Sequence, residues 1–213
     1  MLKINEIYYS VQGESTFAGR PCVFIRLTYC NLRCSYCDTE YAFYEGYDQS
    51  IDSILNEIKK YDCKLIEVTG GEPLVQKESL ELMRRLADEG YEVLLETGGS
   101  LPIKEIDKRV RIILDLKCPS SKMVKKNLYE NIDHLKSIDE VKFVIGTKKD
   151  YEWTKDIINK YELNKKCEIL LSVVFGSLKP VELVNWITED KLNFVRFQLQ
   201  MHKFIWEPDT KGV

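Results

Sequence analysis

A chain of 213 residues is long enough to form one domain around a real hydrophobic core. Its apolar share of 44%, charged share of 31% and net charge of −3 are those of an ordinary globular protein, and they exclude a general attraction to nucleic acid or anionic membrane. No apolar run approaches the ~20 residues of a membrane span, and the opening MLKINEIYYSVQGE does not read as a signal peptide, which makes the cytoplasm the default compartment.

In chain order, a strand pattern over Val23–Leu27 is followed by a helical stripe of Ile51, Ile54, Leu55 and Ile58. Leu65–Thr69 reads as the next strand, and Leu80, Leu82, Met83 and Leu86 follow at helical spacing. Val93–Glu96, Arg111–Leu116 and Val141–Ile145 are further apolar strand patterns. Trp153, Ile157, Ile158 and Tyr161 mark a third helix, Ile169–Val174 another strand, Pro180 the start of a helix over Val181–Ile187, and Phe194–Leu199 a last strand. Alternation of this kind means βαβ crossovers and a parallel sheet. Too few strands are present for an eightfold barrel, so the expected fold is α/β: a partial, open (β/α) barrel of about six parallel strands. No linker or repeat divides the chain, and residues 1–213 read as a single domain. Functional groups in such sheets gather at the carboxyl ends of the strands.

Seven cysteines is an odd count, and three of them form Cys30-Asn-Leu-Arg-Cys34-Ser-Tyr-Cys37, just past the first core strand. This pattern favours a metal centre in a reducing compartment over a disulfide framework. Structural zinc takes four protein ligands, and no fourth Cys or His lies close in sequence: Cys22 precedes the loop, while His134 and His202 are remote. An iron–sulfur cluster held by three cysteines keeps one iron open for a ligand. The rival reading is a zinc knuckle or electron-transfer cluster completed by a distant residue. One strand later comes Gly70-Gly71-Glu72-Pro73, which taken alone is an ordinary strand-to-helix turn.

Together, the CxxxCxxC spacing with Tyr36 before the last cysteine and the GGEP turn resemble the radical S-adenosylmethionine superfamily. The resemblance implies a 4Fe–4S cluster on Cys30, Cys34 and Cys37, with Gly71 in a turn that meets the methionine amino group. It implies that the cluster passes an electron to the bound sulfonium, giving methionine and a 5′-deoxyadenosyl radical that takes hydrogen from substrate. Such an enzyme needs an electron donor, for example a flavodoxin or ferredoxin.

Within that superfamily the chain resembles the 7-carboxy-7-deazaguanine synthases, from about Ile4 to Val213. The likeness rests on Val11-Gln12-Gly13-Glu14 with Gly19-Arg20-Pro21 and Val23-Phe24-Ile25-Arg26, on Cys37-Asp38-Thr39, and on the tail Gln200-Met201-His202-Lys203 to Lys211-Gly212-Val213. It implies conversion of 6-carboxy-5,6,7,8-tetrahydropterin to 7-carboxy-7-deazaguanine, by hydrogen abstraction at C6, ring contraction and loss of ammonia, with Mg2+ assisting and a homodimer as the assembly. Val11 (through its backbone), Gln12, Gly13, Glu14, Arg26, Thr69, Glu96, His202 and the terminal carboxylate of Val213 are the implied substrate contacts. Tyr36, Cys37, Asp38, Gly71, Asp115, Lys117 and Ser172 are the implied S-adenosylmethionine contacts, and Thr39 the magnesium ligand.

Several of these residues also have plain readings. Arg26 can be a surface ion pair at a strand end, Gln12 and Glu14 loop solvation, Asp38-Thr39 a helix cap and Glu96 a solvated turn residue. Asp115 stands where many family members have Ser, and Ser15 where they commonly have Gly. His134 reads as structural or solvated, and Cys22, Cys63, Cys118 and Cys167 as buried free thiols. The rival activity is an activase that installs a glycyl radical on a partner enzyme; it shares the triplet and GGEP but gives no reason for the Gln-Gly-Glu segment or the His tail.

Overall fold

Period-two alternation of apolar side chains builds the centre of the fold, which a computed structural model describes over residues Met1–Val213. In chain order the elements are β1 (Leu2–Val11), β2 (Pro21–Leu27), β3 (Tyr47–Gln49), α1 (Ile51–Ile58), β4 (Leu65–Gly70), α2 (Ser79–Asp88), β5 (Glu92–Thr97), β6 (Arg111–Asp115), β7 (Glu140–Ile145), α3 (Lys148–Tyr161), β8 (Glu168–Val173), α4 (Pro180–Glu189), β9 (Val195–Phe197) and α5 (His202–Ile205). They form one nine-stranded open sheet in the order β3-β1-β2-β4-β5-β6-β7-β8-β9. Each pair from β2 to β9 is parallel. β1 runs antiparallel to both β2 and β3.

The expected partial, open barrel is therefore present, and all seven apolar strand patterns form its parallel strands. The N-terminal segment, which no apolar pattern marked as a strand, adds a ten-residue strand carrying Val11 at its end. Its apolar pattern is weak because only Leu2 and Ile4 are buried along it.

The outward faces of the parallel strands supply Val23, Ile25 and Leu27, Ile66 and Val68, Val141, Phe143 and Ile145, which join the helices in a 35-residue core. Each fully buried side chain of this size contributes roughly 1.5–3 kcal/mol. The four predicted helices are the ones that cover this face. Ser50 caps α1 through its hydroxyl, and Thr147 with Asp150 forms a capping box on α3. No α-helix lies between β5 and β6 or between β6 and β7, where turns and 3₁₀ segments replace it. On the inner face, Phe24, Leu65, Leu94 and Ile113 close over Phe17 and Cys22. Phe17 comes from the loop after β1, so that loop plugs one end of the barrel and leaves the other end open.

Candidate active site

The open end holds a cavity of ≈ 790 Å³, lined by the loops at the carboxyl ends of β2, β4, β5 and β6, by residues 11–14 and by the tail. Val11, Gln12, Gly13, Glu14, Arg26, Cys30, Cys34, Tyr36, Cys37, Asp38, Thr39, Thr69, Gly71, Glu96, Asp115, Lys117, His202 and Val213 all line it. Ser172 does not. It points inward from β8, fully buried, and its hydroxyl has no partner.

The cysteine loop leaves β2 and is held from below by segment 118–122, since the Ser35 N–H donates to the Ser121 carbonyl (3.1 Å) and Ser35 Oγ to the Ser120 carbonyl (2.6 Å). Cys30, Cys34 and Cys37 are free and half-buried. Burial raises all three thiols, Cys34 to about 11, and the nearby Lys117 ammonium acts against it at each. This donor set suits a cluster: three unpaired sulfurs on one loop, facing one cavity beside a buried cation. Three cysteine ligands with no fourth His or Cys on the loop leave one position open, as a cluster that binds a further ligand requires.

The Gly70-Gly71 turn lies against this loop. The Gly71 N–H donates to the Leu27 carbonyl (3.1 Å) and the Glu72 N–H to the Tyr29 carbonyl (2.8 Å). With those donors engaged, the turn has only carbonyl oxygens to offer, the partners an ammonium group requires. A Cβ on Gly71 would sit 2.3 Å from the Tyr29 oxygen and 2.9 Å from the Cys30 Cβ. Gly71→Ala is therefore expected to cost about 1–3 kcal/mol and to displace the cluster loop, lowering both the melting temperature and the iron content after reconstitution.

Glu72 has no solvent exposure. Its carboxylate accepts from the Leu74 N–H (3.1 Å), the Thr97 hydroxyl (2.8 and 2.9 Å) and the Gly98 N–H (2.8 Å). It thus ties the turn after β4 to the turn after β5. Burial raises this carboxyl, and its three donors and Lys117 pull the other way.

The inner face between the cysteine loop and the apolar plug is charged. Gln12 donates to Glu67, and its side-chain oxygen accepts from the Glu14 N–H (3.1 Å). Lys142, with 4% of its side chain exposed, bonds Glu14 (2.8 Å) and Glu96, and lies 3.9 Å from Asp115. Asp115 also pairs with Lys117 (2.9 Å), while its Oδ1 is buried without a partner. Burial, and then the Glu96 carboxylate, push the Glu67 carboxyl well above the usual range, against the Gln12 hydrogen bond and the Lys142 ammonium. Burial acts to raise Glu14 too, but the Lys142 ammonium outweighs it and the carboxyl lies below its ordinary value.

Arg26 bonds Glu6 through Nε (2.7 Å) and the Tyr8 hydroxyl through Nη2 (2.9 Å), and faces the Tyr8 and Tyr41 rings. It does form an ion pair, but one that lines the cavity with only 15% of its side chain exposed. Thr39 precedes a 3₁₀ turn over Glu40–Phe43 yet makes no side-chain cap bond; its hydroxyl donates to Asp38 Oδ1 (2.8 Å).

The tail crosses the top. Met201 N–H donates to the Gly13 carbonyl (2.9 Å), Gln200 Nε2 to Glu14 (3.0 Å), and Lys203 pairs with Asp38 (3.1 Å). Burial favours a raised Asp38 carboxyl, but Lys203 and the Thr39 hydroxyl bring it down to about 2. A Cβ on Gly13 would approach His202 Nδ1 to 2.6 Å, so glycine makes room for that ring. Burial lowers the His202 imidazole below its ordinary value against the pull of Glu14 and Asp38.

A family model described as the radical SAM superfamily matches residues 24–176. A 7-carboxy-7-deazaguanine synthase of Chlorobaculum tepidum is 45% identical, covering 100% of this chain and 97% of its own length. One of Koribacter versatilis is 44% identical over all of both chains, and one of Clostridium acetobutylicum 36% identical over 99% of each. This chain belongs to the 7-carboxy-7-deazaguanine synthase family. The fold agrees: the crystal structure of QueE from Escherichia coli superposes with a TM-score of 0.77 at 21% identity over 94% of each chain. Streptococcus suis SuiB, solved bound to S-adenosylmethionine, superposes at 0.58 with 14% identity, over 80% of this chain and 44% of its own. Membership makes this chain a radical SAM enzyme with a 4Fe–4S cluster and S-adenosylmethionine as cofactors, in place of the activase or zinc-module readings.

The sequence reading passed over Glu6, Glu67, Glu72 and Lys142. Two of them are charged residues inside otherwise apolar strand patterns, Glu67 in β4 and Lys142 in β7, while Glu72 lies in the turn just beyond β4. Gln12 and Glu14 are not loop solvation: Gln12 is buried, and both are bonded into the floor. His134 is exposed, as a solvated residue. Cys22 and Cys118 are buried free thiols, whereas Cys63 and Cys167 are only partly covered because they precede their strands.

Proposed function

We propose that this chain converts 6-carboxy-5,6,7,8-tetrahydropterin to 7-carboxy-7-deazaguanine with loss of ammonia. The observation that carries the reading is convergence: the cysteine loop, the Gly-Gly turn, the Gln-Gly-Glu segment and the His tail, far apart in sequence, line one cavity. Cys30, Cys34 and Cys37 would hold the 4Fe–4S cluster, which with S-adenosylmethionine would supply the radical chemistry that takes hydrogen from the substrate.

The chain's own residues bind and orient. Tyr36, Cys37, Asp38, Gly71, Asp115 and Lys117 are placed on the cofactor, with Ser172 beneath them. Asp115 Oδ1 is a buried acceptor still without a donor, which suits a cofactor hydroxyl or ammonium. Arg26 faces the substrate carboxylate, since a guanidinium pairs with carboxylates in a fixed fork. Glu14 and Glu96, both acceptors, face the N–H-rich edge of the pterin, with Gln12, Gly13, Thr69, His202 and the Val11 backbone beside them. Val213 lines the same cavity, and its carboxylate is a further acceptor. The Thr39 hydroxyl and its Asp38 neighbour are hard oxygen donors of the kind magnesium takes. The covering tail limits water around the reacting atoms.

An external reductant of flavodoxin or ferredoxin type, a homodimer of this single domain and a cytoplasmic setting complete the proposal. No helix is long and apolar enough to cross a membrane. Anaerobic protein reconstituted with iron and sulfide and supplied with reductant, S-adenosylmethionine, Mg2+ and carboxytetrahydropterin should release a deazapurine. Slow formation of 5′-deoxyadenosine with no deazapurine would show the substrate assignment to be wrong.

A further inference from the structure

Lys142 sits in the middle of β7 with 4% of its side chain exposed, an expensive place for an ammonium group. Apolar side chains of similar volume in place of Lys142 and its acidic partners together would serve the barrel about as well, so fold stability alone does not explain the charge. Its contacts do. Nζ bonds Glu14 from the N-terminal segment and Glu96 from the end of β5, with Asp115 of β6 at ion-pair distance. Glu14 in turn accepts from Gln200, and Met201 N–H is bonded to the adjacent Gly13 carbonyl. Lys142 is thus the interior end of a chain of contacts that reaches the tail over the cavity.

We propose that Lys142 is a positioning residue: it fixes Glu14 and Glu96 side by side as the acceptor edge for the pterin and, through Glu14, holds the tail closed. Its substrate half rests on the pterin reading above. Without the ammonium, Glu14 and Glu96 repel each other and Asp115, and the segment carrying Glu14 is free to swing outward with Gln200. The group acts by charge and geometry alone. Burial works against its ionisation, yet Glu14, Glu96 and Asp115 hold it well above the ordinary lysine value.

The test compares Lys142→Met, Lys142→Gln and Lys142→Arg with the unmodified protein, all cluster-loaded and anaerobic. Gln keeps two N–H donors and removes the charge; it is the deciding variant if Met does not fold. Two readouts are taken: the dissociation constant and KM for carboxytetrahydropterin, and amide hydrogen exchange across residues 200–213 without substrate. Met and Gln should raise the dissociation constant and KM by about tenfold or more, the equivalent of one lost charged contact, with a smaller change in kcat and faster exchange in the tail. Arg should stay within a fewfold of the unmodified protein. Binding and tail protection unchanged in Lys142→Gln would overturn the inference. If the unmodified protein itself fails to bind the pterin, the substrate reading falls, and tail exchange in Lys142→Gln still decides the positioning role.

Discussion

Alanine at Cys30, Cys34 or Cys37 is expected to abolish deazapurine formation and S-adenosylmethionine cleavage while leaving the fold standing. The three thiols belong to no core cluster: they are half-buried on a loop, and the Cys30 sulfur accepts one weak bond from the Leu32 N–H at 3.4 Å. Truncating any of them should cost no more than about 1 kcal/mol of stability, as for partly exposed positions generally. Removing one also removes an iron ligand that no other residue on the loop replaces. Iron and sulfide analysis should then show about four irons per unmodified chain and little in the variants. Cys118→Ala supplies the contrast. Its sulfur is fully buried against Thr154 Oγ1 at 3.7 Å and lies in the core, so the same change should lower stability by about 1–2 kcal/mol and spare the cluster.

The second large effect is on stability. Glu72→Ala leaves the Leu74 N–H, the Thr97 hydroxyl and the Gly98 N–H without the fully buried acceptor they share. Each orphaned buried donor costs about 1–3 kcal/mol, and local rearrangement recovers part, so a net loss of roughly 3–5 kcal/mol is expected. For a chain of this size the melting temperature falls by about 2–4 °C per kcal/mol lost. Activity should suffer as well, because Glu72 sets the spacing between the Gly-Gly turn and the turn after β5. Glu72→Gln keeps one acceptor oxygen and should lose about half as much. A Glu72→Ala protein as stable as its parent would mean that the Thr97 hydroxyl and Gly98 N–H find other partners.

Much of this fold was legible because burial writes itself into the sequence. The parallel strands have apolar residues on the outward face, so Val23–Leu27, Leu65–Thr69 and Val141–Ile145 stood out. β1 did not, since it is covered along only part of its length and two of its ten residues are buried. The same holds for the site. Cys30, Cys34, Cys37 and Gly71 were readable because their spacing alone carries chemistry. Glu72 was quoted only as part of a turn, and its clamp on Thr97 and Gly98 is a contact between residues more than twenty positions apart. Lys142 was visible as a charge in the strand Glu-Val-Lys-Phe-Val-Ile, but its role was not, because its partners come from β5, β6 and the N-terminal segment. Ser15 shows how a departure is absorbed. It takes φ 62° where glycine is easier, and its hydroxyl accepts from the Phe17 N–H at 3.1 Å to hold the turn.

A radical formed at the cysteine loop should take hydrogen from C6 of a pterin held between the N-terminal segment and the tail. Mass analysis of 5′-deoxyadenosine made during turnover of carboxytetrahydropterin deuterated at C6 decides this. The 5′-deoxyadenosine should carry deuterium and form together with 7-carboxy-7-deazaguanine. Unlabelled 5′-deoxyadenosine beside labelled, unconsumed pterin would rule the hydrogen transfer out.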